Sequence, residues 1–196
     1  MTDLRTALEG HDETLEWRDF TADPPKNRAA TDVALTQTRF NLLYDYSYEK
    51  AQGTHHGYRV DHVNVQVILD RSKMWAASSG RTPGILRHEQ GHFDIVALTA
   101  RDLYNELTGW DSSDPPRRFR KDTDLKSAVD RLRRQALRFV EFVAPPGGAA
   151  GIYDTQTDHG RKTAAQDKWN EALAAARLNK VTLKTALSGL GVGAPP

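Results

Sequence analysis

Apolar and polar positions alternate with two different periods along this chain. From Thr82 to Leu107, Ile85, Leu86, Val96, Leu103 and Leu107 recur at spacings that gather on one face of a helix. Thr82 precedes Pro83, which matches an N-cap followed by a proline in the first turn. From Tyr58 to Asp70 the period is two, with Val63, Val65, Val67 and Leu69 on one side of a half-buried strand. The Thr-, Val-, Leu- and Tyr-rich stretch Ala30 to Tyr48 predicts one or two further strands. Beyond these, Leu125, Val129, Leu132, Ala136, Phe139 and Val143 form an amphipathic stripe, so 124–143 is expected as a helix opened by Asp122 or Thr123. A third helix is expected over 163–178, with Trp169 and Leu173 turned inward. Breakers separate these segments: ADPPKN, AQGTHHG and APPGGAAG, with 110–122 as a loop. The pattern implies one α+β domain over 14–180, between a polar leader (1–13) and a C-terminal tail (181–196) whose last residues fray.

Composition narrows the classes of function. At 196 residues, with 38% hydrophobic and 27% charged residues, the chain suits a soluble globular domain. A net charge of +1 gives no case for nucleic acid or an anionic membrane as a bulk electrostatic partner. Arg131, Arg133, Arg134 and Arg138 lie on the polar side of the second helix and are expected to be solvated. Without cysteine, a metal site can use only His, Asp or Glu. The N-terminal residues do not read as a signal peptide, and no apolar run approaches the ~20 residues needed to span a bilayer. The expected compartment is the cytoplasm, or the cell exterior or periplasm if a targeting segment was removed.

The chemistry sits on the first helix. His88 and His92 are four residues apart, so their rings project from one face one turn apart, with Glu89 beside them. This is H-E-x-x-H, in which two histidines hold zinc and the glutamate serves as general base. A buried helix with two hydrogen-bonded histidines is the bland alternative. Catalytic zinc takes three protein ligands and leaves a position for water. The metzincin pattern would place Gly and His where this chain has Ile95 and Leu98, which excludes that class. Asp94 turns about 200° from His92, and Glu106 lies on the order of 21 Å along the axis. The third ligand therefore comes from another segment.

Among the other histidines, His11 lies in the leader, His55 and His56 sit together in a turn, and His62 belongs to a strand. His159 stands out in YDTQTDHG, read as a loop before a helix, with Gly160 allowing close backbone approach. In the same stretch Asp154 and Asp158 could ligate directly or accept the N–H of a ligand imidazole. Tyr153 could donate to a developing oxyanion, as could a nearby arginine. The competing explanation makes Asp158 a helix N-cap and His159 incidental.

These blocks carry a resemblance. LEWRDF, the Trp75 segment, LRHEQGHFDI, and YDTQTDHG followed by Gln166 and Trp169 resemble a bacterial family of predicted zinc-dependent proteases, catalogued as domain of unknown function nine hundred and twenty-two. The similarity spans about Leu15 to Leu178, and HEQGHFDI and YDxxTxHG are its most specific blocks. It implies a zincin-like fold, a small antiparallel or mixed sheet on the H-E-x-x-H helix with two C-terminal helices. It also implies that His159 acts with His88 and His92 on one Zn2+. Within the same pattern Gly91 is expected to give clearance for packing, and Asp94 to pair with an arginine.

The expected activity is hydrolysis of a peptide bond by a metal-activated water, with Glu89 as base and a peptide or protein as substrate. A non-proteolytic zinc amidase would use the same ligands. A metal-stabilised binding module would keep them without turnover.

Overall fold

The computed structural model describes residues 5–29, 32–50, 56–141, 148–178 and 181–192. Its centre is the strand β4 (Gly57–Leu69), whose Val63, Val65 and Val67 are buried. A shorter strand, β1 (Ala7–Glu9), pairs with it in parallel on one side, and β3 (Thr38–Glu49) pairs antiparallel on the other. Phe40 lies opposite Val67 and Leu42 opposite Val65, with one register shift at Asp45/Tyr46. The expected strands within 30–48 resolve as two, because β2 (Ala34–Leu35) leaves this sheet to pair with β5 (Trp75–Ala76). Residues 30 and 31 lie outside the described residues.

Beneath the sheet runs α1 (Pro83–Ser112). Thr82 caps it, its hydroxyl accepting from the Ile85 N–H at 3.3 Å. At 30 residues it is longer than its apolar stripe suggested, continuing through Trp110 into the expected loop. Trp110 is buried and donates from its indole N–H to Glu106, and Arg117 covers its ring, so tertiary packing carries the helix onward. The second amphipathic stripe forms α2 (Asp122–Val140), with Leu125, Val129 and Phe139 buried. Val143 lies outside the described residues.

The C-terminal part differs from the two helices expected. Among the described residues four α-helices follow α1. They are α2, a short α3 (Ala149–Thr157), α4 (Thr163–Leu178) and α5 (Leu183–Leu187). The α3 segment read as a loop because it opens AAG and shows no clear stripe. Its helix is set by Tyr153 and Thr157, both fully buried. The residues assigned to a tail also pack: Leu183, Leu187 and Val192 are buried, and the Leu183 N–H donates to Asp102. Likewise the leader supplies β1. The described parts of the leader and tail join the domain because they bury apolar side chains or fill a sheet edge, signals too short to register as periodicity. Among the described residues, no helix is long and apolar enough to cross a membrane.

Candidate metal centre

The two histidines of α1 do converge. Their rings are perpendicular with centroids 4.7 Å apart, and the two Nε2 atoms are 3.1 Å from each other. Facing them from α3 is Asp154, whose Oδ1 lies 3.0 Å from Nε2 of His88 and 2.9 Å from Nε2 of His92. His159 stands at the edge of the group, its Nδ1 3.5 Å from the same oxygen. One ligand atom each from His88, Asp154 and His159 lie within 4.8 Å of one another, a group that could hold a metal ion. The shortest mutual distances run through His92, so Asp154 rather than His159 is the third corner nearest both α1 imidazoles.

Local structure explains the convergence. Gly91 sits between the histidines, where a Cβ would come within 2.2 Å of the Tyr153 hydroxyl. The expected clearance is real: only glycine lets α3 approach α1 closely enough for Asp154 to reach. The turn after α3 places three consecutive residues in the left-handed region, Asp158 (φ 49), His159 (φ 52) and Gly160 (φ 81). This reversal returns the chain over the histidines. A Cβ at Gly160 would lie 2.8 Å from Cβ of His88. Holding Asp158 and His159 in this conformation carries strain of the kind that clusters at functional sites.

Beneath the ligand atoms lies a connected polar network. The His88 ring stacks on Tyr153 at 4.6 Å, the planes 12° apart. Its Nδ1 faces Oε1 of Gln166 at 3.2 Å, while the Gln166 amide nitrogen donates to Asn170 at 2.9 Å and to the Tyr153 hydroxyl. The Tyr153 hydroxyl in turn donates to the His88 carbonyl at 3.1 Å. Since a carbonyl oxygen can only accept, Nδ1 of His88 carries hydrogen. In the neutral ring, Nε2 then presents its lone pair to Asp154 and His92. A fixed tautomer of this kind is what metal-ligating histidines obtain from their supporting partners.

The charges respond to this crowding. Burial pushes the Asp154 carboxyl up, but when the His88 and His92 imidazoles are protonated they donate to it and oppose its charge, which outweighs burial and holds the group well below the usual carboxylate range. Burial works to lower His92, yet Asp154 and the Glu89 charge together raise it. Tyr153 is pushed well above its ordinary value, first by burial and also by the nearby carboxylates, so it remains a neutral donor.

The donor set fits a small divalent cation. Two imidazole nitrogens and a carboxylate oxygen meet at separations near the ~3.3 Å expected of ligands about 2.0–2.1 Å from a tetrahedral centre. Glu89 is buried beside them, and its Oε2 is a shielded oxygen without a hydrogen-bond partner in the structure. Such an oxygen is costly unless another polar group meets it.

These groups open onto a cleft of about 260 Å³, lined by His88, Glu89, His92, Asp154 and His159 together with residues 32–36. Two expectations are corrected here. Tyr153 cannot serve as an oxyanion donor: it is fully buried under His88 and its hydroxyl is committed to the His88 carbonyl. Asp158 is neither a ligand nor an N-cap; it is exposed, ends α3, and pairs with Arg161 at 3.6 Å. His159 lies, as expected, in the loop before a helix: the tight reversal after α3 leads directly into α4. Asp94 and Glu106 point elsewhere as expected, Asp94 pairing with Arg177 and Gln90, and Glu106 with Trp110. His56 is exposed, His62 pairs with Asp45, and neither they nor His11 line the cleft; His55 lies outside the described residues.

Gln166 is the group whose role sequence reasoning missed. It appears in the Q-x-x-W block, but nothing in the spacing says that it orients His88. Compared with known proteins, the chain matches no family model, no curated protein and no solved structure.

Proposed function

We propose that this protein is a zinc-dependent peptidase in which His88, His92 and Asp154 hold the metal and Glu89 is the general base. One observation carries the reading: Nε2 of both imidazoles and Oδ1 of Asp154 lie within 3.1 Å of one another beside a buried Glu89 with an unpartnered oxygen. Bound there, zinc supplies Lewis acidity that lowers the pKa of a water toward ~7 and polarises the scissile carbonyl. Glu89 takes a proton from the attacking water and delivers it to the leaving amine. His159, part-exposed at the cleft, is positioned to donate to the carbonyl oxygen as charge develops, the task first expected of Tyr153. The zincin-like assignment and membership of the bacterial zinc-protease family belong to the same proposal. They rest on the HEQGHFDI and YDxxTxHG blocks and on a mixed sheet lying over the motif helix.

The cleft wall favours a peptide over a small amide. Five consecutive residues, 32–36, line it. Side chains alternate along a strand, so an unbroken run lines a cleft most readily when the strand's edge borders it. On the opposite edge, the Ala77 N–H donates to the Val33 carbonyl at 2.8 Å, and Ala34 pairs with Ala76. By antiparallel alternation this turns the Ala34 N–H and C=O away from β5. Among the described residues β2 has no second strand partner, and an extended peptide can add there.

Elemental analysis tests the assignment directly. Wild-type protein should carry stoichiometric zinc, and Asp154→Ala should lose it. His159→Ala should keep zinc while losing peptide turnover. Zinc retained in Asp154→Ala but lost in His159→Ala would make His159 the third ligand. A wild-type protein that neither binds zinc nor cleaves any member of a peptide library would sink the peptidase reading.

A further inference from the structure

A second chamber, of about 450 Å³, shares Leu35, Thr36, His92 and Asp154 with the first cleft and continues toward α2 and the start of α3. Its remaining wall is more apolar than polar, with Phe40, Val96, Leu137, Val140 and Ala150 beside Gln37 and Thr38. Val96 is one helical turn beyond His92, so the α1 face that presents the imidazole also presents this wall. Val96, Leu137 and Ala150 are only partly buried, and apolar surface gathered in a recess beside a reactive centre is a typical mark of a ligand site. Arg39 and Glu141 stand exposed and opposite in sign among the lining residues, giving no net preference for charge.

We infer that this chamber is the specificity subsite, and that it takes a large apolar side chain, leucine, methionine or phenylalanine, from the peptide residue next to the cleaved bond. The inference rests on the peptidase reading for how the chain crosses the site. Continuity supplies the occupant: a chain laid along residues 32–36 has the His92–Asp154 pair at one point of its path. The side chain projecting past that pair meets Val96 and Leu137. A glycine or alanine there leaves the wall wet, and a charged side chain loses hydration without a buried partner. Hydrocarbon pockets of this kind discriminate by roughly 10–200-fold per methylene gained or lost.

The test uses zinc-loaded Glu89→Gln protein and blocked hexapeptides, varied at each position through Gly, Ala, Leu, Phe, Asp and Lys. Binding is read by fluorescence anisotropy, and cleavage sites in wild-type protein by mass spectrometry. At one position Leu or Phe should bind at least about tenfold tighter than Ala or Asp. Ala150→Trp, which fills the chamber, should abolish that preference. Leu137→Ser, which removes hydrocarbon without filling space, should weaken it and guards against an Ala150→Trp protein that fails to fold. Binding without preference, or a preference unchanged in both folded variants, would overturn the inference. Preference in binding without any cleavage by wild type would support the chamber and reject the peptidase reading. Cleavage without preference would do the reverse.

Discussion

Gln166 reaches His88 across 78 positions of sequence, and it shows how much of this site is set one residue behind the candidate ligands. Its carbonyl oxygen holds the hydrogen of His88 on Nδ1, and its amide ties the same ring system to Tyr153 and Asn170. Removing such a partner typically costs 10–100-fold in metal affinity. Gln166→Ala should therefore bind zinc about 10–100-fold more weakly in competition with a chromogenic chelator, with its helix content unchanged by circular dichroism. Glu89 tests the chemistry instead of the binding. Glu89→Gln should retain stoichiometric zinc while turnover drops about 10²–10⁴-fold, the usual contribution of a positioned base. Turnover equal to wild type on any peptide substrate would remove Glu89 from the mechanism. The H-E-x-x-H spacing made His88, Glu89 and His92 legible from sequence, because three positions on one helix need no tertiary information. Asp154 was visible only as one of three candidates in its stretch, since choosing among them depends on how α3 is rotated.

At the level of elements, α5 marks the clearest departure from the pattern read along the chain. Five residues cannot show a helical period, yet Leu183 and Leu187 are both fully buried. The Arg101 guanidinium adds to the attachment, donating to the carbonyls of Ala176 and Val181 at 2.7 and 2.9 Å. Leu187→Ala should lower unfolding free energy by about 2–4 kcal/mol in urea titration, as for other buried leucines. A frayed tail would show no change. The same logic explains α3: its register is fixed by Tyr153 packing against Trp169 at 5.0 Å and stacking under His88, not by an amphipathic stripe of its own. The long helices and β4, each with enough residues to repeat a period, were legible.

For the molecule as a whole, the candidate centre joins two segments that sequence keeps far apart. His88 and His92 come from α1, Asp154 from α3, with 66 and 62 positions between them. A metal held by both segments stabilises the folded state by mass action, about 2.7 kcal/mol at a hundredfold excess over its dissociation constant. For a chain of this size that is a rise of roughly 5–10 °C in melting temperature. Chelator should lower the wild-type melting temperature by that amount, and zinc should restore it. His92→Ala should melt at the same temperature with and without chelator. Differential scanning fluorimetry reads all three.

What the sequence determined alone is what local periodicity and spacing encode: the motif helix with its Thr82 cap, the alternating β4, the helices α2 and α4, and a histidine pair on one face. Contacts of long sequence separation decided the rest. Only the folded chain brings Gly91 under Tyr153, reverses the backbone through Asp158, His159 and Gly160, and sets Asp154 against both imidazoles. Only packing turns a nominal leader and tail into β1 and α5, and moves Tyr153 from the cleft to the support of His88, a candidate ligand. A pattern with a period of two or 3.6 is written in neighbouring residues, whereas which side chains meet across an interface depends on how whole elements are rotated and pressed together.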